Sequence, residues 1–395
     1  MSTSTDSRTG LGLTATIYVF AAVMIGTTLP TPLYPTYESV FGFGSQTTTV
    51  LFAIYAAGVI VSLLVAGRLS QSLGRRPVLL IGAALSLVSA ILFTIGTSEG
   101  LLFVGRVFSG LSAGVLTSTG TVAVLDAAPD ARKKIAGSLA TAANIGGLGF
   151  GMIVSGLVAG LTPFHLRGPF VVQGALVVIA GLALLVVPET VAKADRVPFR
   201  LHVPTVPAAA RGVFGVASIG AIAGFAVCGL FSSVAPNFVG SILQIHSAVV
   251  VGLATGVLFV ASAVAQIALG SVSAVRGVLI GSVALFVGMA VLALALPLAS
   301  LALLIVSAVV SGAGQGLLFT YGLRAITGAT PEDQRAQATT AYFIVAYLAI
   351  SIPSIVAGVF TTTVGLTPTG IVFAGVMAVL CVVAFATRGR FAVRG

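Results

Sequence analysis

Arg106 sits in the apolar run LLFVGRVFSGLSAG, Leu101 to Gly114, of a 395-residue chain in which only 7% of residues are charged. Within a membrane-length helix a charged side chain costs roughly 2.5–3.5 kcal/mol on insertion scales, so it persists where it serves a cavity or a partner. A guanidinium offers five N–H donors in a rigid fork, the geometry that reads carboxylates, phosphates and carbonyl dipoles. Arg106 is therefore a candidate substrate contact. Snorkelling is the competing reading, because the residue lies about five positions from the outer end of its run. Glu38 and Glu99 fall at outer ends of runs and Asp126 at an inner end, so no run carries a deep carboxylate. A cavity built on Arg106 without an acid prefers neutral or anionic solutes over cations. Glu38, just after the first run, is the one candidate left for carrying a proton, against a plainer reading as a solvated loop acid.

Other polar residues punctuate the runs. Tyr18, Thr28, Tyr55, Asn144, Gln266, Gln315, Tyr342 and Tyr347 are candidate substrate contacts, and Thr27, Gln173 and Tyr321 share their setting. Each can equally serve as interhelical glue, since such bonds are common between membrane helices. As a set they suit an amphipathic pocket with a few hydrogen-bonding groups.

The background to these residues is a membrane protein. The chain is 57% apolar with 48 glycines, and a hydrocarbon core of about 30 Å takes roughly 20 apolar residues per helix. Spans are expected at 12–30, 47–67, 78–97, 101–125, 136–161, 170–188, 212–233, 248–270, 277–296, 300–323, 338–360 and 370–387. The first follows a polar start with Arg8 and has no convincing small-residue cleavage site, so it reads as a retained helix. With the N-terminus inside, all but two of the 19 bases fall on one side, the exceptions being Arg106 and Arg167. The positive-inside rule then puts both termini in the cytoplasm of a multi-pass cell-membrane protein. The net charge of +10 is topological, and no solvated basic domain exists to bind nucleic acid.

Glu189 to Arg211, with three prolines and four bases, reads as a linker between an N-terminal half (1–188) and a C-terminal half (212–395). SGLSAGVLTSTGTVAVLDAAPD (Ser109 to Asp130) aligns without gaps on SGAGQGLLFTYGLRAITGATPE (Ser311 to Glu332), matching Gly110 to Gly312, Gly114 to Gly316 and Gly120 to Gly322. The fold expected is all-α, with twelve transmembrane helices in two six-helix pseudo-repeats. Repeats of that kind place a substrate site near the midplane between halves that rock.

No cofactor or metal is expected: His165, His202 and His246 lack ligand company, and Cys228 and Cys381 lie in apolar runs. No zinc, phosphate-loop or nucleophile-elbow motif occurs, so the chain reads as neither an enzyme nor an ATP-driven pump.

GRLSQSLGRRP, Gly67 to Pro77, joins the second and third spans. Its Gly67, Leu69, Gly74, Arg75 and Arg76 resemble the signature loop Gly-x-Leu-x-Asp-x-x-Gly-Arg-Lys/Arg of the major facilitator superfamily. Gly26, Pro32 and Pro35 in the first span, Arg106 and Gly110 in the fourth, and Gly147, Gly151 and Gly156 in the fifth resemble motifs of its twelve-helix drug:proton antiporters. Two residues depart from the pattern: Gln71 replaces the loop aspartate, and Met152 replaces a proline in the fifth span. The resemblance implies gating roles for Gly67, Gln71, Gly74, Arg75 and Arg76 and for the glycines Gly147 and Gly151, and Asp126, at the inner end of the fourth span, reads as the partner of Arg75 or Arg76. It implies a monomer in the bilayer that exports small amphipathic molecules by alternating access in exchange for protons. A facilitator or importer of a neutral solute such as a sugar fits the missing deep carboxylate, and a non-transporting scaffold or receptor is the third class.

Overall fold

A computed structural model describes residues 2–129, 132–187, 189 and 204–391. Twelve helices among them are long and apolar enough to cross a membrane. In lipid a backbone must satisfy its own hydrogen bonds, which is why apolar runs of this length become helices.

The first half contains α1 (Ser2–Thr28), α2 (Tyr34–Phe41), α3 (Ser45–Leu73), α4 (Arg75–Ile95), α5 (Glu99–Ala127), α6 (Lys133–Thr141) continuing through a π turn into α7 (Gly147–Leu161), and α8 (Gly168–Val186). The second contains α9 (Arg211–Ser233), the short α10 (Ala235–Asn237), α11 (Ala248–Ala268), α12 (Ala274–Ala295), α13 (Leu301–Gly328), α14 (Arg335–Val364) and α15 (Leu366–Ala386). The first span exceeds the expected 12–30: after α1 a turn at Pro30, Pro32 and Pro35 leads directly into α2, and the span runs to Phe41. Proline removes backbone donors and so breaks the helix without ending the span. Of the expected linker, residues 190–203 lie outside the described residues, as does Asp130 of the repeat.

The sequence repeat has a physical counterpart. Gly110 on α5 packs on the backbone of Tyr55 in α3, and Gly312 on α13 packs on the backbone of Leu258 in α11. One turn on, Gly114 meets Val59 and Ser62, while Gly316 meets Ser262. The fourth span of each half is thus pressed onto the second by the same glycine register, where a side chain would hold the backbones apart.

The halves meet along two seams, α7 against α11 and α3 against α14. On the first, a Cβ on Gly149 would lie 2.8 Å from the carbonyl oxygen of Gly256, and one on Gly156 would lie 3.0 Å from the Cα of Gly252. At the end of the bundle away from the termini, Asn237 donates to Glu38 across the halves (3.0 Å) and Gln46 donates to Thr362 (3.2 Å). Outward faces carry bare aliphatics such as Leu182, Val372 and Val379, the surface that lipid requires.

Gly149→Leu should drive α7 off α11, because two of the three atoms nearest its Cβ are backbone, the Gly256 carbonyl oxygen and the Val260 nitrogen, and cannot turn aside. Spin labels at positions 46 and 362 should then separate in a protein that still inserts; an unchanged distance would show that the glycine seam does not hold the halves together.

Candidate functional site

Between the halves lies a narrow cavity of about 30 Å³. From the first half its walls are Thr27 and Thr28 of α1, Phe52 and Tyr55 of α3, and Asn144, Ile145 and Leu148 of the fifth span. From the second they are Phe225, Cys228 and Ser232 of α9, Phe259 of α11, Gln315 and Phe319 of α13, and Phe343, Tyr347 and Ile350 of α14. Asn144 is carried by the π turn Ala142–Gly146, an insertion that re-aims side chains and recurs at functional sites. Tyr55 and Tyr347 line the cavity from opposite halves.

Of the residues singled out in the sequence, Thr28, Tyr55, Asn144, Gln315 and Tyr347 are therefore brought to one cavity. Tyr18 is not: its hydroxyl donates to the Leu176 carbonyl of α8 (3.0 Å), tying spans within the first half. Gln173 is glue as well, donating to the Ala22 carbonyl and to Ser86. Tyr342 stacks on Phe319, with ring centroids 5.3 Å apart, and supports that wall from behind. Gln266 sits in a buried chain in which Thr320 donates to its Oε1 (2.6 Å) and its Nε2 donates to Ser262 (3.0 Å). The Ser262 hydroxyl donates in turn to Gln315 Oε1 (2.7 Å).

Arg106 is 1% exposed and points inward, so it does not snorkel. Its Nη1 donates to the Thr27 carbonyl (2.8 Å) and its Nη2 to the Tyr34 hydroxyl. Thr27 is in the last turn of α1, whose carbonyls carry the negative end of the helix dipole. The guanidinium also lies 5.3 Å from the Tyr34 ring centroid and 5.5 Å from that of Tyr55, a cation–π arrangement. No ion pair to Arg106 occurs among the described residues, and its Nε has no hydrogen-bond partner. The charge stands one layer behind the cavity wall, with Thr27 and Tyr55 in front of it.

Glu38 corrects the loop reading. It is half-buried in α2, and its Oε1 accepts from Thr48 (2.5 Å) and from Asn237 of the other half (3.0 Å). Gly147 and Gly151 press α7 onto α1, against Met24 in one case and Ile25 and Thr28 in the other, within the first half. The glycines that meet the other half are Gly149, Gly156 and Gly160.

At the termini end, Gly74 adopts φ +105°, a conformation that favours glycine, and its open side is filled by the Glu189 carboxylate. Glu189 Oε1 accepts from the Arg75 amide (2.8 Å) and Oε2 from the Arg76 amide (3.1 Å), so one carboxylate caps the N-terminus of α4. Arg75 Nε pairs with Asp126 Oδ2 at 3.2 Å and its Nη1 donates to Ser70; Arg76 Nη2 donates to the Leu185 carbonyl. The second, third, fourth and sixth spans are thereby joined. Gln71 is exposed and Gly67 has open space beside it. Glu189 and Asn237 escaped the sequence reading, as did the phenylalanine walls. A linker acid and an asparagine outside the midplane carry no signal of their own, and a phenylalanine in an all-apolar span does not reveal its facing.

Two six-helix bundles walling a shared central cavity define a membrane transporter of the two-bundle kind. A sequence profile of the Major Facilitator Superfamily matches residues 16–243 and 217–392, and the chain belongs to that superfamily. It is 28% identical over 165 residues to Quinolone resistance protein NorA of Staphylococcus aureus (strain Mu50 / ATCC 700699), a segment covering 42% of each chain and so less than half of either. Its fold resembles that of the human organic anion transporter MFSD10 (TM-score 0.69, 16% identity, 95% of this chain and 99% of that one). It also resembles the nucleoside transporter NupG (TM-score 0.74, 14% identity, 95% and 99%).

Glu189→Ala should leave two helix N-terminal amides without their acceptor and lower stability by about 1–2 kcal/mol. Asp126→Asn breaks a half-exposed pair and should cost about 0–1 kcal/mol. Thermal unfolding in detergent checks the order; a larger loss for Asp126→Asn would refute the capping account.

Proposed function

We propose that this protein exports small amphipathic molecules across the cell membrane by alternating access. The observation that carries the reading is the cavity itself: its walls are drawn from both halves, and the two halves are joined by hydrogen bonds at the end away from the termini. Two bundles that share one cavity can expose it to either side by rocking about it. The moving bodies are residues 1–188 and 212–395, joined by the 189–211 linker, in a monomer whose termini lie in the cytoplasm. The brace of Arg75, Asp126 and Glu189 keeps the first half rigid as it moves. Similarity to a quinolone resistance protein supports efflux as the direction.

Proton exchange drives the export in this reading, with Glu38 as the group that meets the outer proton. It is a carboxylate that bonds both halves at the closed end. A second reading, facilitated movement of a neutral solute without proton coupling, draws on the absence of any acid from the cavity walls.

Reconstituted protein should move an uncharged amphipathic dye or a fluorescent quinolone faster when a pH gradient is imposed, and Glu38→Gln should lose that acceleration. Arg106→Ala, which removes the charge behind the wall, should insert normally and lose at least tenfold in flux. Flux indifferent to the gradient would overturn antiport and leave the facilitator; no flux of any solute would overturn transport itself.

A further inference from the structure

Three observations bear on what the cavity accepts. The first is the polarity of Gln315. Ser262 accepts from Gln266 Nε2 and gives its own proton to Gln315 Oε1. With its oxygen used inside the second half, Gln315 turns its Nε2 donors to the cavity it lines. The second is Arg106. Its guanidinium lies 5.5 Å from the Tyr55 centroid, so a ring stacked on the opposite face of Tyr55 would sit about 9 Å from an unpaired charge. At that range and an effective dielectric of about 20, anion and cation differ by at least tenfold in affinity. The third is the lining: Phe225 and Phe343 each meet Phe319 edge-on, with centroids 5.0 and 5.3 Å apart, which leaves ring faces and edges for a flat guest.

We infer that the cavity selects aromatic weak acids and their neutral, acceptor-bearing relatives, and rejects organic cations of the same shape. The inference rests on the cavity being the transport site. An aromatic box alone would favour a cation. Here the faces of Tyr34 and Tyr55 already hold one, and neither the walls nor the residues bonded to Gln315 include a carboxylate to offset it. Asn144, half-buried on the opposite wall, supplies an amide that can complete the grip on a carboxylate or carbonyl.

Cys228 gives a direct readout, because it lines the cavity while Cys381 lies in α15. Purified protein in liposomes is treated with a maleimide, and alkylation at each cysteine is followed by mass spectrometry. Three ligands of one shape are compared: 2-naphthoate, 2-naphthamide and 2-naphthylmethylammonium. Naphthoate and naphthamide should slow Cys228 alkylation, and the ammonium compound should need at least tenfold higher concentration for the same effect. Gln315→Glu should reverse the order, Asn144→Asp should shift it the same way, and Arg106→Gln should narrow the gap between anion and cation. Equal protection by the cation, protection by none of the three, or an order that none of the variants changes would each overturn the inference. Continued dye flux in those cases would show that transport stands and only the selectivity fails.

Discussion

A buried guanidinium with no carboxylate partner among the described residues is the constraint on which the first half depends. Removing such a charge from water costs several kcal/mol even after relaxation, so everything near it must return part of that cost. The protein does so with dipoles and ring faces. The end of α1 supplies a carbonyl, Tyr34 a hydroxyl, and Tyr34 and Tyr55 their faces. This explains why the first span must break where it does: the proline turn after Thr28 brings Tyr34 back over Arg106 while leaving α1's terminal carbonyls directed at the charge. The same turn carries the chain into α2 and so to Glu38. One unpaired charge thus fixes the shape of the first span, the near wall of the cavity and the placement of the far-end link.

The second organising fact is that the interior is assembled from close backbone approach more than from large side chains. Membrane helices gain little from hiding apolar surface, because lipid is as apolar as leucine, and they pack where small residues let backbones touch. Glycines on α5 and α13 compact each half, and glycines on α7 and α11 form the seam between halves. The cavity, by contrast, is walled by phenylalanines, Phe52 from the first half and Phe225, Phe259, Phe319 and Phe343 from the second.

Periodicity and composition are enough to read the spans, their number and the duplication, because the bilayer imposes length and the glycine register imposes alignment. A pairing of Asp126 with Arg75 or Arg76 is legible too, since these charges lie at helix ends on the same side; which arginine takes it is visible only in the structure, where it is Arg75. Facing is not legible. A span that is apolar all round has no polar stripe to tell its inner side from its outer one, so Tyr18 and Tyr55 look alike in sequence although one is tucked against α8 and the other lines the cavity. Nor is Glu189: it lies about 110 residues from the amides it caps, and nothing local marks a carboxylate as the cap of a distant helix. Glu38 is legible as a candidate but its place is not, for a third reason: prolines read in sequence as the end of a span, whereas here the span continues past them.

That cap has a further meaning for how the chain is joined. Glu189 follows the last helix of the first half and is anchored at the start of α4, where the second and third spans join. The end of the first half is therefore held at a fixed post at the base of α4 instead of ending as a loose helix terminus.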